Sequence, residues 1–405
     1  MTCCVRSSTR SCLAAFLLAL PLAFAQSQYP PRGIPPMDQL RAAHLSVLKE
    51  LDGKDAKGNP MELDDPRIPD LLKRGWELAG AYAALYIEYN PDPSKHTLKS
   101  IFDGFPSSLN GTGPEYTFRG SAVQIGPSIY VVEASYGIEF RTGAFMVVAR
   151  NENGHFQKLW DITELAAQHY PQRDEIGRWV YLVSRAYYNG PLDVQRILRL
   201  PPAANGHARF LVDAYQGADG GTTLNQLSIW EWEGAKAKPL LVDLYQNSWD
   251  DEGFHLAGRT LRISTKEELK MLFSCGMCSE PRGLWTVRIT PNGVQDLGHR
   301  FLKPEYQWAD ELLTRVNKGT DATSLANPKV LEALKTKISD LRAIDSQVEG
   351  LELEPTESPW GMLSLCRVLR RGKVGAFVLV VDEGELRFTY ELRNGRPYFT
   401  NVKID

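Results

Sequence analysis

Beyond its first 25 residues this chain has no long uncharged apolar run, which argues against a membrane-spanning helix in the mature protein. Basic runs with interleaved aromatics are missing as well, so no nucleic-acid surface is expected. The seven His residues are scattered, without a His-x-x-x-His or His-Glu-x-x-His arrangement, and no Gly-x-Ser-x-Gly elbow occurs. The Gly-rich stretch 215–223 lacks the Gly-Lys-Ser/Thr ending of a phosphate loop and opens a strand pattern instead of a helix. No cofactor and no metal site is therefore expected. Cysteine is scarce: of six, Cys3, Cys4 and Cys12 lie in the first twelve residues.

Those residues read as a secretory signal. Arg6 and Arg10 form a basic start, an apolar run follows, and Ala23-Phe24-Ala25 fits small-x-small cleavage. Cleavage there removes two Arg and no acid, moving the formal charge from −3 to −5. An exported chain, secreted or periplasmic, keeps Cys275, Cys278 and Cys366, an odd number for an oxidising compartment. With 43% hydrophobic residues and nine Trp, the remainder can bury substantial cores.

The organisation then unfolds along the chain. A Pro-rich lead, YPPRGIPPM, is read as an extended arm within 26–100. Helices are predicted over 37–51, with Leu40, Val47, Leu48 and Leu51 apolar, and over 68–89, with Leu71, Leu72, Trp76, Ala79 and Ala83 on one stripe. Asn90-Pro91-Asp92-Pro93 stops the second.

From 101 to 303 the pattern turns to short β-branched and aromatic runs. IYVVEASYG, FMVVARNENG and FQKLWDI return as FLVDAYQG, LSIWEWEG and LLVDLY. A third copy runs from Thr260 through 284–290 to Leu302, and a degenerate fourth includes 179–183 and 194–200. Recurring three-stranded antiparallel units predict a propeller-like region or, alternatively, a β-sandwich. Glu133, Asp213 and Asp243 recur inside the strands, which points to structural bonding.

From 304 to 405 an α+β domain is expected. Trp308, Leu312 and Val316 mark a helix ended by Gly319; Asn327 caps another that starts at Pro328, with Leu331, Leu334, Ile338 and Leu341 inward. The last hairpin alternates Leu386, Phe388, Tyr390 and Leu392 against Glu385, Arg387, Thr389 and Glu391. Asn394-Gly395 suits a two-residue loop, but that register sets Phe388 opposite Asn401 and mixes the faces. A three-residue loop, 393–395, pairs Tyr390 with Tyr398 and Leu386 with Val402, and is the predicted register.

The repeats quoted above resemble blades of FG-GAP-like, integrin-type propellers of secreted bacterial proteins. Such blades often carry an Asp-x-Asp-x-Asp-Gly calcium loop; this chain has none, so calcium binding does not carry over. The tail LRFTYELRNGRPYFTNVKI resembles the end of cystatin-like or NTF2-like α+β domains, which host many functions.

Candidate chemistry lies in three loops. In FSCGMCSEPRG, Cys275 and Cys278 could form a redox centre, half a zinc site or a local disulfide, unless one of them bonds Cys366. Pro281 and Gly283 deny the following helix a thioredoxin-like motif needs, and Ser279 stands where haem attachment needs His. His255 and His299 are the conceivable zinc partners, but no second Cys pair exists. A disulfide clasp on a long binding-face loop is expected. The second loop gathers Trp249, Asp250, Asp251, Glu252 and His255. The third holds Asp219 and Thr222.

Two functions follow. The first is a non-enzymatic binding protein presenting these loops, with Trp249, Asp219, Thr222 and Arg282 contacting a protein, glycan or envelope partner. The alternative is a hydrolase or lyase drawing on Asp219, Asp250, Asp251, Glu252 and His255. Asn110-Gly111-Thr112 also matches a glycosylation sequon.

Overall fold

The computed structural model describes residues 35–53, 65, 67–90, 100–109, 116–137, 141–165, 169–173, 179–181, 193–219, 222–248, 253–267, 273–274, 282–345, 362–381 and 384–405. The protein is mainly β, with four helices among the described residues. The signal segment, Asn110, Trp249, Asp250, Asp251, Glu252, Cys275 and Cys278 lie outside them.

Helix α1 (Pro35–Leu51) and helix α2 (Ile68–Tyr89) form where the stripes predict. Leu71, Leu72, Trp76, Ala79 and Ala83 are all buried, and Asn90 leaves the helix in an extended conformation. The pair covers one face of an antiparallel meander made of β1 (Thr117–Gly126), β2 (Ile129–Gly137), β3 (Arg141–Arg150) and β4 (Phe156–Asp161). Contact is close because α2 turns glycines toward the sheet. A methyl on Gly75 would lie 2.4 Å from the Tyr136 hydroxyl, and one on Gly80 2.7 Å from Met146 Sδ. The Tyr136 hydroxyl is 2.8 Å from Nε2 of His44, an imidazole wholly inside the core and stacked on Phe105. Gly75→Ala must displace that bonded hydroxyl. It is expected to destabilise by about 1–3 kcal/mol despite the better helix propensity of Ala, read as a fall in thermal midpoint.

The second repeat builds the same meander with β7 (Asp193–Leu200), β8 (Arg209–Asp219), β9 (Thr222–Trp232) and β10 (Ala237–Ser248). The third does so with β11 (Phe254–Ala257), β12 (Thr260–Lys266), β14 (Arg282–Thr290) and β15 (Gly293–Phe301). Each repeat thus has four strands, one more than the sequence pattern shows. Residues 194–200 lead the second repeat and do not belong to a fourth. The other part of that predicted copy supplies β6 (Trp179–Tyr181), which pairs with β5 (His169–Arg173).

Second and third meanders share one eight-stranded sheet through a single backbone pairing, Gln246 with Lys266. Alternation along β8 and β9 explains the stacking. Phe210, Val212, Trp230 and Trp232 face the first meander, where Trp230 meets Phe145 and Trp160. Leu211, Leu227 and Ile229 face the other way, onto Leu261, Ile263, Trp285, Val287 and Ile289 of the third. The middle meander is therefore buried on both faces, so its strands read as nearly continuous apolar runs. Among the described residues no sheet closes into a barrel.

The C-terminal unit has its own core. Helix α3 (Pro304–Asn317) and helix α4 (Pro328–Asp345) pack on β16 (Met362–Arg371), β17 (Val374–Val381), β18 (Gly384–Arg393) and β19 (Arg396–Ile404). Asn327 Oδ1 accepts the Val330 amide at 2.9 Å, the expected cap, and Gly319 ends α3 at φ +65. A fifth strand comes from far away: β13 (Phe273–Ser274), between β12 and β14, pairs in parallel with β16.

The final hairpin corrects the predicted register. Its loop has two residues, Asn394 (φ 53) and Gly395 (φ 77), and Arg393 pairs with Arg396. Tyr390 faces Phe399 and not Tyr398, and Leu386 faces Ile404 and not Val402. The mixed faces that this loop would otherwise give are avoided by a bulge at Thr400, which sets Phe388 opposite Val402. The bulge is held from outside the hairpin: Asn327 Nδ2 donates to the Thr400 carbonyl at 2.6 Å.

Candidate functional site

Three connections leave the β stack at one end. The β8–β9 hairpin narrows to the pair Asp219 and Thr222, around residues 220–221. Thr222 also pairs with Ser248, the last residue of β10, after which come Trp249 and the acidic run. Gln246, two residues earlier, pairs with Lys266, and Lys266 with Arg282, so the segment carrying Cys275 and Cys278 leaves and returns beside them. The first repeat turns the same way: Arg119, two residues from the β1 end that pairs Gly137, donates to Asp193 of β7 at 2.8 Å.

The anchor points of the predicted loops are thereby brought together, with Asp219, Thr222 and Arg282 on them. His255 is placed apart. It sits one residue into β11, exposed, opposite Arg262 on the outer face of the third meander. β13 changes the setting of the Cys segment, which is bracketed by a strand of the C-terminal sheet and one of the third meander. Cys366 lies on β16, its backbone paired with Val378.

Beneath this end lies a polar string that sequence reasoning missed as a unit. Glu267, directly after β12, bonds Thr265 Oγ1 and lies 3.2 Å from His299 Nδ1 of β15. His299 stacks on Trp285, whose Nε1 donates to Asp296 at 2.8 Å. Burial pushes the Glu267 carboxyl up, but the bonds from His299 and Thr265 outweigh it and hold it below its usual range. Burial pushes His299 down, and Glu267 more than reverses this, leaving the imidazole raised. The only sequence signal was His299 itself, weighed as a zinc partner. Its partner here is a carboxylate. Among the described residues no group of three or more His, Cys, Asp or Glu gathers as a metal site.

Two further acids are buried between the sheets at equivalent places in their repeats. Glu133 of β2 accepts from Ser121 at 2.8 Å and pairs with Arg119 at 3.7 Å; burial raises its carboxyl to about 7 against these contacts. Asp213 of β8 accepts from the Tyr245 hydroxyl at 2.8 Å, and burial raises it to about 6. Glu133 faces the second meander, Asp213 the third. Both bond neighbouring strands and stand inside the stack, away from the loop end. Asp243, in the middle of β10, accepts the amide of its neighbour Leu244 at 2.8 Å.

No protein-family model matches this chain, and no curated protein matches it. Among the described residues no helix is long and apolar enough to cross a membrane.

Proposed function

We propose that this is an exported, non-enzymatic binding protein whose loop end receives a protein, glycan or envelope partner. The observation that supports it is the register chain Asp219–Thr222–Ser248 and Gln246–Lys266–Arg282. It brings the anchor residues of three segments far apart in sequence to one end of the stack. Loops carried by a rigid, doubly packed sheet suit recognition, since the scaffold leaves little ordering cost to binding. The acids whose carboxyls are raised, Glu133 and Asp213, are spent on bonds within the stack, which leaves them no reacting role. A propeller-like ancestry, with repeats stacked in one sense, accords with this reading.

A hydrolase on the same end has one observation in its favour, an imidazole held at Nδ1 by Glu267. One experiment separates the two. Glycan arrays and an immobilised envelope extract are probed with the mature chain, Trp249→Ala, Arg282→Gln and His299→Gln. The binding reading expects Trp249→Ala and Arg282→Gln to weaken retention on the order of tenfold, with His299→Gln near the parent. Turnover of chromogenic ester, amide or glycoside substrates that His299→Gln abolishes would replace it with the hydrolase.

A further inference from the structure

The stack is covered at one end and open at the other. Helices α1 and α2 shield the first meander, whereas the outer face of the third meander meets solvent. Its register writes that face out in rows. His255, Arg262 and Thr286 lie abreast; so do Thr260, Arg288 and Gln295, and so do Ser264, Leu284 and Arg300.

The face has one sign of charge in a chain whose net charge is −3. Arg262, Arg288 and Arg300 are exposed, and among the described residues none has an acidic partner. The acids on these strands serve the other side: Glu267 binds His299, and Asp296 accepts from Trp285 and from the Gly298 amide. Arg315 and Arg387, by contrast, are matched by Glu311 at 2.7 Å and by Glu385 at 2.6 Å. Diagonal neighbours on adjacent strands stand about 7–8 Å apart, so Arg262 and Arg288 can grip successive anionic groups of one extended chain.

We infer that this face is a docking surface for an acidic polysaccharide. Guanidinium forks match carboxylates and sulfates, and the hydroxyls of Thr260, Ser264 and Thr286 between them suit sugar hydroxyls. The rows contain no aromatic platform on which the bases of a single-stranded nucleic acid would stack. They also lack the apolar stripe that inserts into a bilayer: Leu284 is half-buried, and exposed Leu297 stands at the β15 margin. This surface is distinct from the loop end and does not depend on the reading given there.

The test is retention of the full mature chain on immobilised alginate, a polyuronate, with neutral dextran as the blank. The chain is expected to bind alginate at low ionic strength and to be released by roughly 0.5 M salt. The triple variant Arg262→Gln/Arg288→Gln/Arg300→Gln should weaken binding on the order of tenfold or more, with an unchanged thermal midpoint because all three side chains are exposed. Arg315→Gln should bind alginate like the parent. The proposal is overturned if the triple variant binds as the parent does, or if no alginate binding occurs at low salt. Tighter retention by the same arginines on phosphatidylglycerol vesicles or duplex DNA than on alginate would also overturn it.

Discussion

Arg209→Met lowers the stability of the β stack by about 3–5 kcal/mol. Arg209 is 2% exposed, among the largest side chains buried whole. Its Nε donates to Glu231 Oε2 at 2.7 Å, Nη1 to the Thr290 carbonyl at 2.6 Å, and Nη2 to the Pro291 carbonyl at 3.3 Å. One guanidinium thus joins β8 to β9 and fastens both to the β14–β15 turn of the third meander. Without it, Glu231 keeps only His207, 3.2 Å away, the Thr290 carbonyl loses the guanidinium, and the Pro291 carbonyl is left with the Ala204 amide at 2.8 Å. A buried charge left uncompensated costs more than the intact pair contributes. Arg209→Lys should cost less, since the charge stays and only the fork is lost. The double variant Arg209→Met/Glu231→Leu should regain much of the loss, because the stranded carboxylate goes with its partner. Guanidinium denaturation of the four proteins reads this directly. A loss under about 1 kcal/mol for Arg209→Met would mean that the clamp is not a tie between the meanders.

The second large effect depends on pH. Glu133→Gln and Asp213→Asn are each expected to stabilise the protein at pH 8, by up to about 3 kcal/mol, and to change little at pH 4. The folded protein raises Glu133 from 4.5 to about 7 and Asp213 from 3.8 to about 6, chiefly by burial. Each native carboxyl therefore holds its proton more tightly than in the unfolded chain. Its contribution is full below the unfolded value and is lost as pH rises through the folded one. The amide variants carry no such loss. Arg119 is not stranded by Glu133→Gln, because Asp193 still pairs with it at 2.8 Å. His44 works in the opposite direction. Burial lowers its imidazole to about 3, so the folded state resists its protonation and loses stability as pH falls from about 6.5 towards 3. Unfolding curves of parent and variants from pH 4 to 8 test both limbs. Parallel profiles for parent and Glu133→Gln would refute the assignment.

Much of this architecture was legible because its signals are local. The α2 stripe, the Asn327-Pro328 start and the Gly319 stop depend on residues within a few positions of one another, and each stands as read. Repeat units were visible because β2 and β8 place matching apolar and acidic residues at matching steps. Of the leading strands, β1 escaped because its residues alternate too weakly to stand out and β11 because it is only four residues long, while β7 was seen at 194–200 but assigned to a fourth copy. The hairpin register failed for an instructive reason. The turn chemistry of Asn394-Gly395 and the alternation of the strand were both right, and only a bulge reconciles them. That bulge is fixed by Asn327, 73 residues earlier.

Of the candidate site, the sequence chose the loops and the structure chose their neighbours. Nothing near Asp219 says that Ser248 ends beside it, nor that Lys266 and Arg282 flank the same end. Nothing near Glu267 says that His299, 32 residues on, orients against it.

Local periodicity and turn chemistry, acting over a few residues, determined on their own which segments are helix or strand, which side of each is apolar and that the β units repeat. Only the tertiary structure decided which strands share a sheet, that a guanidinium on β8 reaches carbonyls 81 residues away, and that the third meander shows its cationic face to solvent. The physical reason is that pairing and burial between distant strands depend on which surfaces meet, and that is a property of the assembled stack.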